Sequence, residues 1–409
     1  MTHLRPILST LGRHKTAALL IVFEIALTCA IICNAVFLID NRLDRLRFPS
    51  GLAEDELVQI EMHSIGRNPN APADTLVDLD ALRAIPGVRS VSIVNQIPYN
   101  NNSNNSGLNL SPDQKVATID VSTYMANVGA IDTLGLHLVA GRDFKPDEVM
   151  EGRAFDAMSD PKLPSVILTR ATAERVFPGR DALGQSVYIF GRSPMRVVGI
   201  VDRFVRPVPH SADAGDLYSV ILPVRPTYNG GVFMLRTDPG RRAEVLAAAR
   251  QALEHRDPHR VLQKEGTFEE LRANFYRADI SMVWLLVGVC AAMLIVTAFG
   301  IVGLASFWVQ QRTRMIGTRR ALGATRGQIL RYFQAENLLL TSAGIALGML
   351  GAYGINQFLM TQYELPRLPF AYLPLGAVAL WTLGQIAVLS PARRAANVPP
   401  AWAMRGLAG

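Results

Sequence analysis

The sequence predicts a membrane protein: four transmembrane α-helices plus a large α+β extracytoplasmic domain of two lobes on helical stalks. Three observations predict it. Four apolar runs, 17–39, 282–308, 338–360 and 370–389, are each long enough to cross roughly 30 Å of hydrocarbon at about 1.5 Å per residue. Basic residues collect beside these runs on one side. The long segment between the first two runs alternates strand-type and helix-type patterns, so a chain that is 49% apolar still has an ordinary, charged middle.

Charge gives the expected orientation, because short loops on the cytoplasmic side of a membrane protein carry an excess of Lys and Arg. Arg5, Arg13 and Lys15 precede the first run. Arg312, Arg314, Arg319, Arg320, Arg326 and Arg331 follow the second, and Arg393, Arg394 and Arg405 follow the last, with Glu336 the single acid among these flanks. The segment 40–281 holds 28 Lys and Arg against 31 Asp and Glu. Both termini and the arginine-rich loop are therefore expected in the cytoplasm. The formal charge of +7 is a topological signal and does not point to nucleic acid. The expected division is 1–16 cytoplasmic, 17–39 span, 40–281 extracytoplasmic, 282–308 span, 309–337 cytoplasmic elbow, 338–360 span, 361–369 short loop, 370–389 span and 390–409 cytoplasmic tail.

The first run is read as an uncleaved anchor: it is longer than a signal-peptide core and no A-x-A site ends it. Cys29, Cys33 and Cys290 all fall inside runs, which leaves the large domain without a disulfide framework or zinc spacing. Glu24 is the one acid well inside a run. Intramembrane carboxylates are costly, and a buried, hydrogen-bonded role is expected for it.

Within the large domain, strands are expected at 57–62, 88–94, 116–121, 165–169, 187–190, 196–201, 219–222 and 232–236. Helices are expected at 124–134 after the N-cap candidate Ser122, at 170–177 after Thr169, and at 241–255 after Asp238-Pro239. The Pro-rich, acidic stretch 145–164 is the expected break between lobes, with the second lobe either following the first or inserted into it. The Asn-rich stretch 100–109 reads as a solvated loop. Thr267 with Glu270 makes a capping box, opening a stalk helix that runs through Leu271, Phe275 and Ile280 into the second run. A matching stalk, 41–48, continues the first run, and two such helices would couple the outer domain to the membrane.

The arginine-rich loop reads as a helix over 312–322, a break at Gly323-Ala324, and a second capping box, Thr325 with Gln328, that opens a helix through Ile329, Leu330 and Phe333. Helix, break and capped helix form an elbow at the membrane surface. Anionic lipid holding an amphipathic helix is the alternative use of such charge. Gly344 and Gly348 form a G-x-x-x-G pair suited to close helix packing, within one chain or between two. No catalytic, cofactor or metal constellation is found: His63, His137, His210, His255 and His259 lack ligand spacing, and no G-x-S-x-G occurs.

The loop sequence RTRMIGTRRALGAT, 312–325, resembles the R-x-R-E-I-G-x-R-[RK]-A-L-G-A-[TS] segment of MacB/FtsX-type ABC transporter permeases. LHLVAGRDF (136–144), RVFPGRDALG (175–184), VVGIVD (197–202), YSVILP (218–223) and the tail PARRAANVPP (391–400) are similar to other parts of that family. Met315 departs from it, standing where the family has Glu.

The resemblance implies a dimeric permease, formed with the same or a related chain, whose elbow docks in a groove of a cytoplasmic ABC ATPase. The implied coupling residues are Arg314, Arg319, Arg320, Leu322, Gly323, Ala324, Thr325 and Ile329. ATP and Mg would sit on that partner, since no Lys follows a Gly here and G-x-x-x-x-G-K-[ST] is absent. The implied work is mechanical: export or extraction of a peptide, toxin or lipoprotein, with a periplasmic adaptor and outer-membrane duct as further partners. The alternative is a signalling scaffold of the FtsX kind that activates an envelope partner without transport.

Overall fold

The computed structural model describes residues 15–257, 260–363 and 367–397. Arg5, Arg13, His259, Arg405 and the tail beyond 397 lie outside the described residues. Two compact units emerge: Asp44–Ala278, and Met1–Leu43 with Asp279–Gly409.

The sheet unit is built on two sheets. In the first, β1 (Leu57–Ser64), β2 (Val88–Val94), β12 (Val232–Thr237) and β13 (Arg260–Thr267) lie antiparallel in the order β13-β1-β12-β2. Alternation along β1 puts Val58, Ile60 and Met62 on one face. They pack there with Phe233 and Leu235 against Leu79 and Leu82 of α2 (Ala71–Arg83) and Val245, Ala249 and Leu253 of α6 (Arg242–Arg256). Asp78 of α2, fully buried, joins these pieces by accepting from Arg256 and Arg260.

The second sheet is mixed and seven-stranded. Its strands are β3 (Asn105–Leu108), β4 (Ile119–Met125), β5 (Leu138–Gly141), β7 (Ser165–Thr169), β8 (Ser186–Val187), β9 (Met195–Val201) and β10 (Ser219–Leu222), in the order β3-β4-β10-β7-β9-β5 with β8 beside β9. A small parallel pair, β6 (Met150–Glu151) with β11 (Val224–Arg225), stands apart, next to the short helix α4 (Gly152–Asp156). Helix α5 (Arg170–Val176) starts as expected at Thr169, whose hydroxyl accepts from the Thr172 N–H. The second sheet lies wholly between β2 and β12 in sequence, so its lobe is inserted into the first.

Several expectations are corrected. The lobe break is not at 145–164, which lies inside the inserted lobe; the chain crosses between lobes at 95–104 and 226–231. The expected helix 124–134 shrinks to α3 (Ala130–Leu134), and Ser122 is a buried mid-strand residue rather than a cap. Pairing of β4 with β10 claims this segment, and Tyr124, fully buried, donates to the Val205 carbonyl at 2.6 Å and stacks on Phe204. The expected strand 187–190 is reduced to two residues. The Asn-rich stretch is only partly loop: Asn105–Leu108 pair with β4, the Ser122 hydroxyl bonds Asn105 Oδ1 at 2.7 Å, and Leu108 is buried.

Arg142 grips Glu148 through two hydrogen bonds of 2.8 and 2.6 Å. This guanidinium holds the Glu148 carboxyl down from its ordinary 4.5 to about 2. A depressed carboxylate stabilises the fold fully above its unfolded value, and that stability is lost as pH falls toward the folded value. Arg142→Ala is therefore expected to destabilise the fold most near neutrality and to raise the pH of acid unfolding, the difference from the parent closing as pH falls from about 5 to 2, read by circular dichroism.

Among the described residues, four helices are long and apolar enough to cross a membrane. These are α1 (Lys15–Arg47), α8 (Arg277–Gln311), α10 (Arg326–Tyr363) and α11 (Tyr372–Ala396). The remaining helices are α7 (Phe268–Phe275), which opens at the capping box formed by Thr267 and Glu270, and α9 (Thr313–Ala321). Helix α8 leaves Trp284, Leu285 and Phe299 exposed, as a lipid-facing surface should.

Candidate functional site

The elbow is α9, a turn, and the start of α10. Helix α9 follows α8 after a break at Arg312 and closes at Leu322. Gly323 then adopts φ +95°, a left-handed conformation that favours glycine. Its N–H donates to the Arg320 carbonyl at 3.2 Å and the Ala324 N–H to the Arg319 carbonyl at 3.0 Å. Together these form a Schellman motif. The Thr325 N–H donates to Gln328 Oε1 at 2.9 Å while the Gln328 N–H donates to Thr325 Oγ1 at 3.3 Å, the reciprocal capping box that opens α10. Both helix ends at the turn are thus satisfied by local bonds, which fixes its geometry.

Packing anchors the elbow to the bundle. Ile316 of α9 and Ile329 and Phe333 of α10 bury against Val309 at the end of α8 and Ala392, Ala395 and Ala396 at the end of α11. Arg312 and Glu336 are both buried, and Arg312 Nη1 donates to both carboxylate oxygens at 3.0 and 2.8 Å. The Arg312 guanidinium also lies 5.6 Å from the Trp308 ring.

The opposite face is open. Arg314, Thr318, Gly323 and Thr325 are exposed, Arg319, Arg320 and Ala324 half-buried, and the Arg319 guanidinium stands 5.1 Å over Tyr332. Leu322, at the tip, is 84% exposed, and Met315 lies on the same open face. The arrangement offers a rigid knob with cations around an apolar tip. Ile329 differs from the other proposed coupling residues: it is buried and braces the elbow from behind. The Arg312–Glu336 pair was missed from the sequence. Its available signal was that Glu336 is the one acid in a run of arginines.

The other predicted positions sit in the bundle. Glu24 is half-buried on α1, its carboxylate against Gly300 of α8, and among the described residues it has no hydrogen-bond partner. The hydrogen-bonded role expected of it is not found. Polar contact between these helices comes one turn away, where the Thr28 and Thr297 hydroxyls meet at 2.8 Å. Gly344 and Gly348 pack within the chain: a Cβ on Gly344 would stand 2.8 Å from Ile25 Cβ, and one on Gly348 2.5 Å from Cys29 Cβ and 2.6 Å from the Ala26 carbonyl. Gly348→Leu is expected to force α1 and α10 apart and cost about 1–3 kcal/mol of bundle stability, read as a lowered unfolding midpoint in detergent.

Residues 287–400 match the family model described as FtsX-like permease C-terminal. The chain is 24% identical over 353 residues to a protein of Bacillus subtilis (strain 168) described as an uncharacterized ABC transporter permease, YknZ, covering 83% of this chain and 82% of that one. It is 28% identical over 280 residues to the uncharacterized ABC transporter permease YvrN of the same organism, covering 64% and 67%. The macrolide export ATP-binding/permease protein MacB of Chromobacterium violaceum is 24% identical over 306 residues, covering 69% of this chain but 43% of its own length, so the chain spans less than half of that relative. The solved extracellular domain of YknZ aligns with 50% of this chain and all of that one at 16% identity, with a TM-score of 0.32. The relatives and the matched domain bear out the resemblance read from the elbow.

Proposed function

We propose that this chain, an ABC transporter permease of the FtsX and MacB type, takes up ATP-driven movement from a separate cytoplasmic ATPase through its elbow. It passes that movement to its periplasmic sheet domain, so as to export or extract a peptide, toxin or lipoprotein. The observation that carries the reading is the elbow's construction: a locally closed turn, braced by Ile316, Ile329 and the Arg312–Glu336 pair, that presents Leu322 outward between Arg314, Arg319 and Arg320. A lipid-held amphipathic helix needs no such bracing and buries its apolar residues in the interface. A docking knob needs both rigidity and an exposed apolar anchor.

Movement delivered at the elbow reaches α8 through Val309 and α10 through Phe333, the helices to which it is packed. A second permease subunit, the same chain or a related one, would complete the complex in the inner membrane with both termini in the cytoplasm.

Mild-detergent isolation of the tagged chain from its native membrane tests the reading. A co-purifying Walker-motif ATPase is the expected result. An adaptor and outer-membrane duct in the same eluate support export, a wall hydrolase supports the scaffold role, and isolation without any ATPase contradicts the reading.

A further inference from the structure

We propose that the cytoplasmic ends of α10 and α11 carry a binding site for an anionic phospholipid of the cytoplasmic leaflet, with Arg331, Arg393 and Arg394 holding its phosphate.

Three observations carry this. First, Arg331 lies seven residues before Leu338, which is 44% exposed, and eleven before Ser342. At about 3.6 residues per turn both intervals return to one face of α10. That face looks toward lipid: the Ser342 hydroxyl accepts from the indole N–H of Trp381 of α11 at 3.0 Å, and Trp381 is itself partly exposed. Second, α11 repeats the pattern. Ile386 is 67% exposed, Ser390 one turn later is exposed, and Arg393 and Arg394 follow a further turn on. The two helices run antiparallel, with Gly384 against Asn337 and Thr341, and Ala392 clustered with Ile329 and Phe333. The three arginines therefore come to the same end of the pair, where both lipid-facing stripes reach the headgroup layer. Third, all three are exposed, and none has a side-chain hydrogen bond or ion pair among the described residues. Glu336, the one acid in the loop sequence, is taken by Arg312.

The chemistry selects the ligand. A long arginine stem lies along apolar surface while its head reaches the interface, and the guanidinium fork matches phosphate oxygens. Three cations without counter-charges favour a lipid of net negative charge over a zwitterionic one. A soluble acidic protein fits less well, because hydrocarbon already covers both stripes that lead to the site. Arg326 provides the contrast: it is exposed too, but stands seven residues before the buried Phe333, in line with the packed face of α10.

The test incubates the full chain in mild detergent with equal amounts of dioleoylphosphatidylglycerol and dioleoylphosphatidylcholine and counts retained lipid by native mass spectrometry. The parent is expected to prefer the anionic lipid at least about twentyfold, since each arginine near the surface contributes about three- to fivefold. Arg331→Gln, Arg393→Gln and Arg394→Gln should each lose about that factor, and the triple variant should show no preference. Arg326→Gln should leave the preference unchanged, which a general attraction to positive charge would not do. Parent and triple variant should share one unfolding midpoint in phosphatidylcholine. Phosphatidylglycerol should raise the parent's midpoint alone, and water-soluble glycerol phosphate should raise neither. No preference in the parent, an equal loss with Arg326→Gln, or stabilisation by glycerol phosphate would each overturn the proposal. So would loss of ATPase co-purification from the triple variant with its lipid preference intact, which would give the site to that subunit. The lipid measurement contains no ATPase, so its outcome is independent of the elbow reading.

Discussion

Glu336→Gln is expected to cost the membrane bundle about 3–5 kcal/mol, the usual penalty for removing one partner of a buried ion pair. Arg312 is 7% and Glu336 1% exposed, so the variant leaves a guanidinium buried without its counter-charge and with one acceptor oxygen in place of two. Arg312 Nη2 already lacks a partner among the described residues, which leaves the group nowhere to turn. Arg312→Met is expected to do comparable harm by stranding the carboxylate. The double variant, Arg312→Met with Glu336→Leu, should recover to within about 1 kcal/mol of the parent, because an apolar pair of similar volume replaces a buried ion pair at little cost. Thermal unfolding in detergent reads all three. Should the double variant be as unstable as either single one, the pair would not be the elbow's anchor.

Charge reversal at Arg319 and Arg320, together with Leu322→Asp, is expected to leave stability nearly intact and abolish ATPase capture. Leu322 is so exposed that its replacement should change stability by no more than about 0.5 kcal/mol. An apolar anchor at the centre of an interface is commonly worth about 2 kcal/mol or more, roughly thirtyfold in affinity. Ile329→Ala should behave in the opposite way, destabilising the bundle because its side chain is buried against α11. Co-purification and melting measured on the same samples separate the two behaviours.

The contrast between Leu322 and Ile329 shows what was legible in the sequence. The four apolar runs and the helix-break-helix of the elbow were readable because each rests on local signals: hydrophobic length, Gly323 at a turn, and Thr325 with Gln328 as a cap. Which residues of the elbow face outward was not, since that depends on α11, some 60 residues further along, covering Ile316 and Ile329. The Arg312–Glu336 pair was hidden for the same reason. In the sheet unit, β13 went unrecognised because an edge strand of polar residues, RVLQKEGT, carries no alternation. The false helix at 124–134 came from a local cap signal at Ser122 that pairing of β4 with β10 overrode. Gly344 and Gly348 announced close packing, but only the fold identified α1 as their partner.

The central claim is that the elbow tip touches the ATPase. Benzoylphenylalanine placed at position 322 of the full chain and irradiated in native membranes tests it most directly. The account predicts a covalent adduct with a Walker-motif subunit, lost when Arg319 and Arg320 are reversed in charge. Adducts with lipid alone, under conditions where the complex is intact, would contradict it.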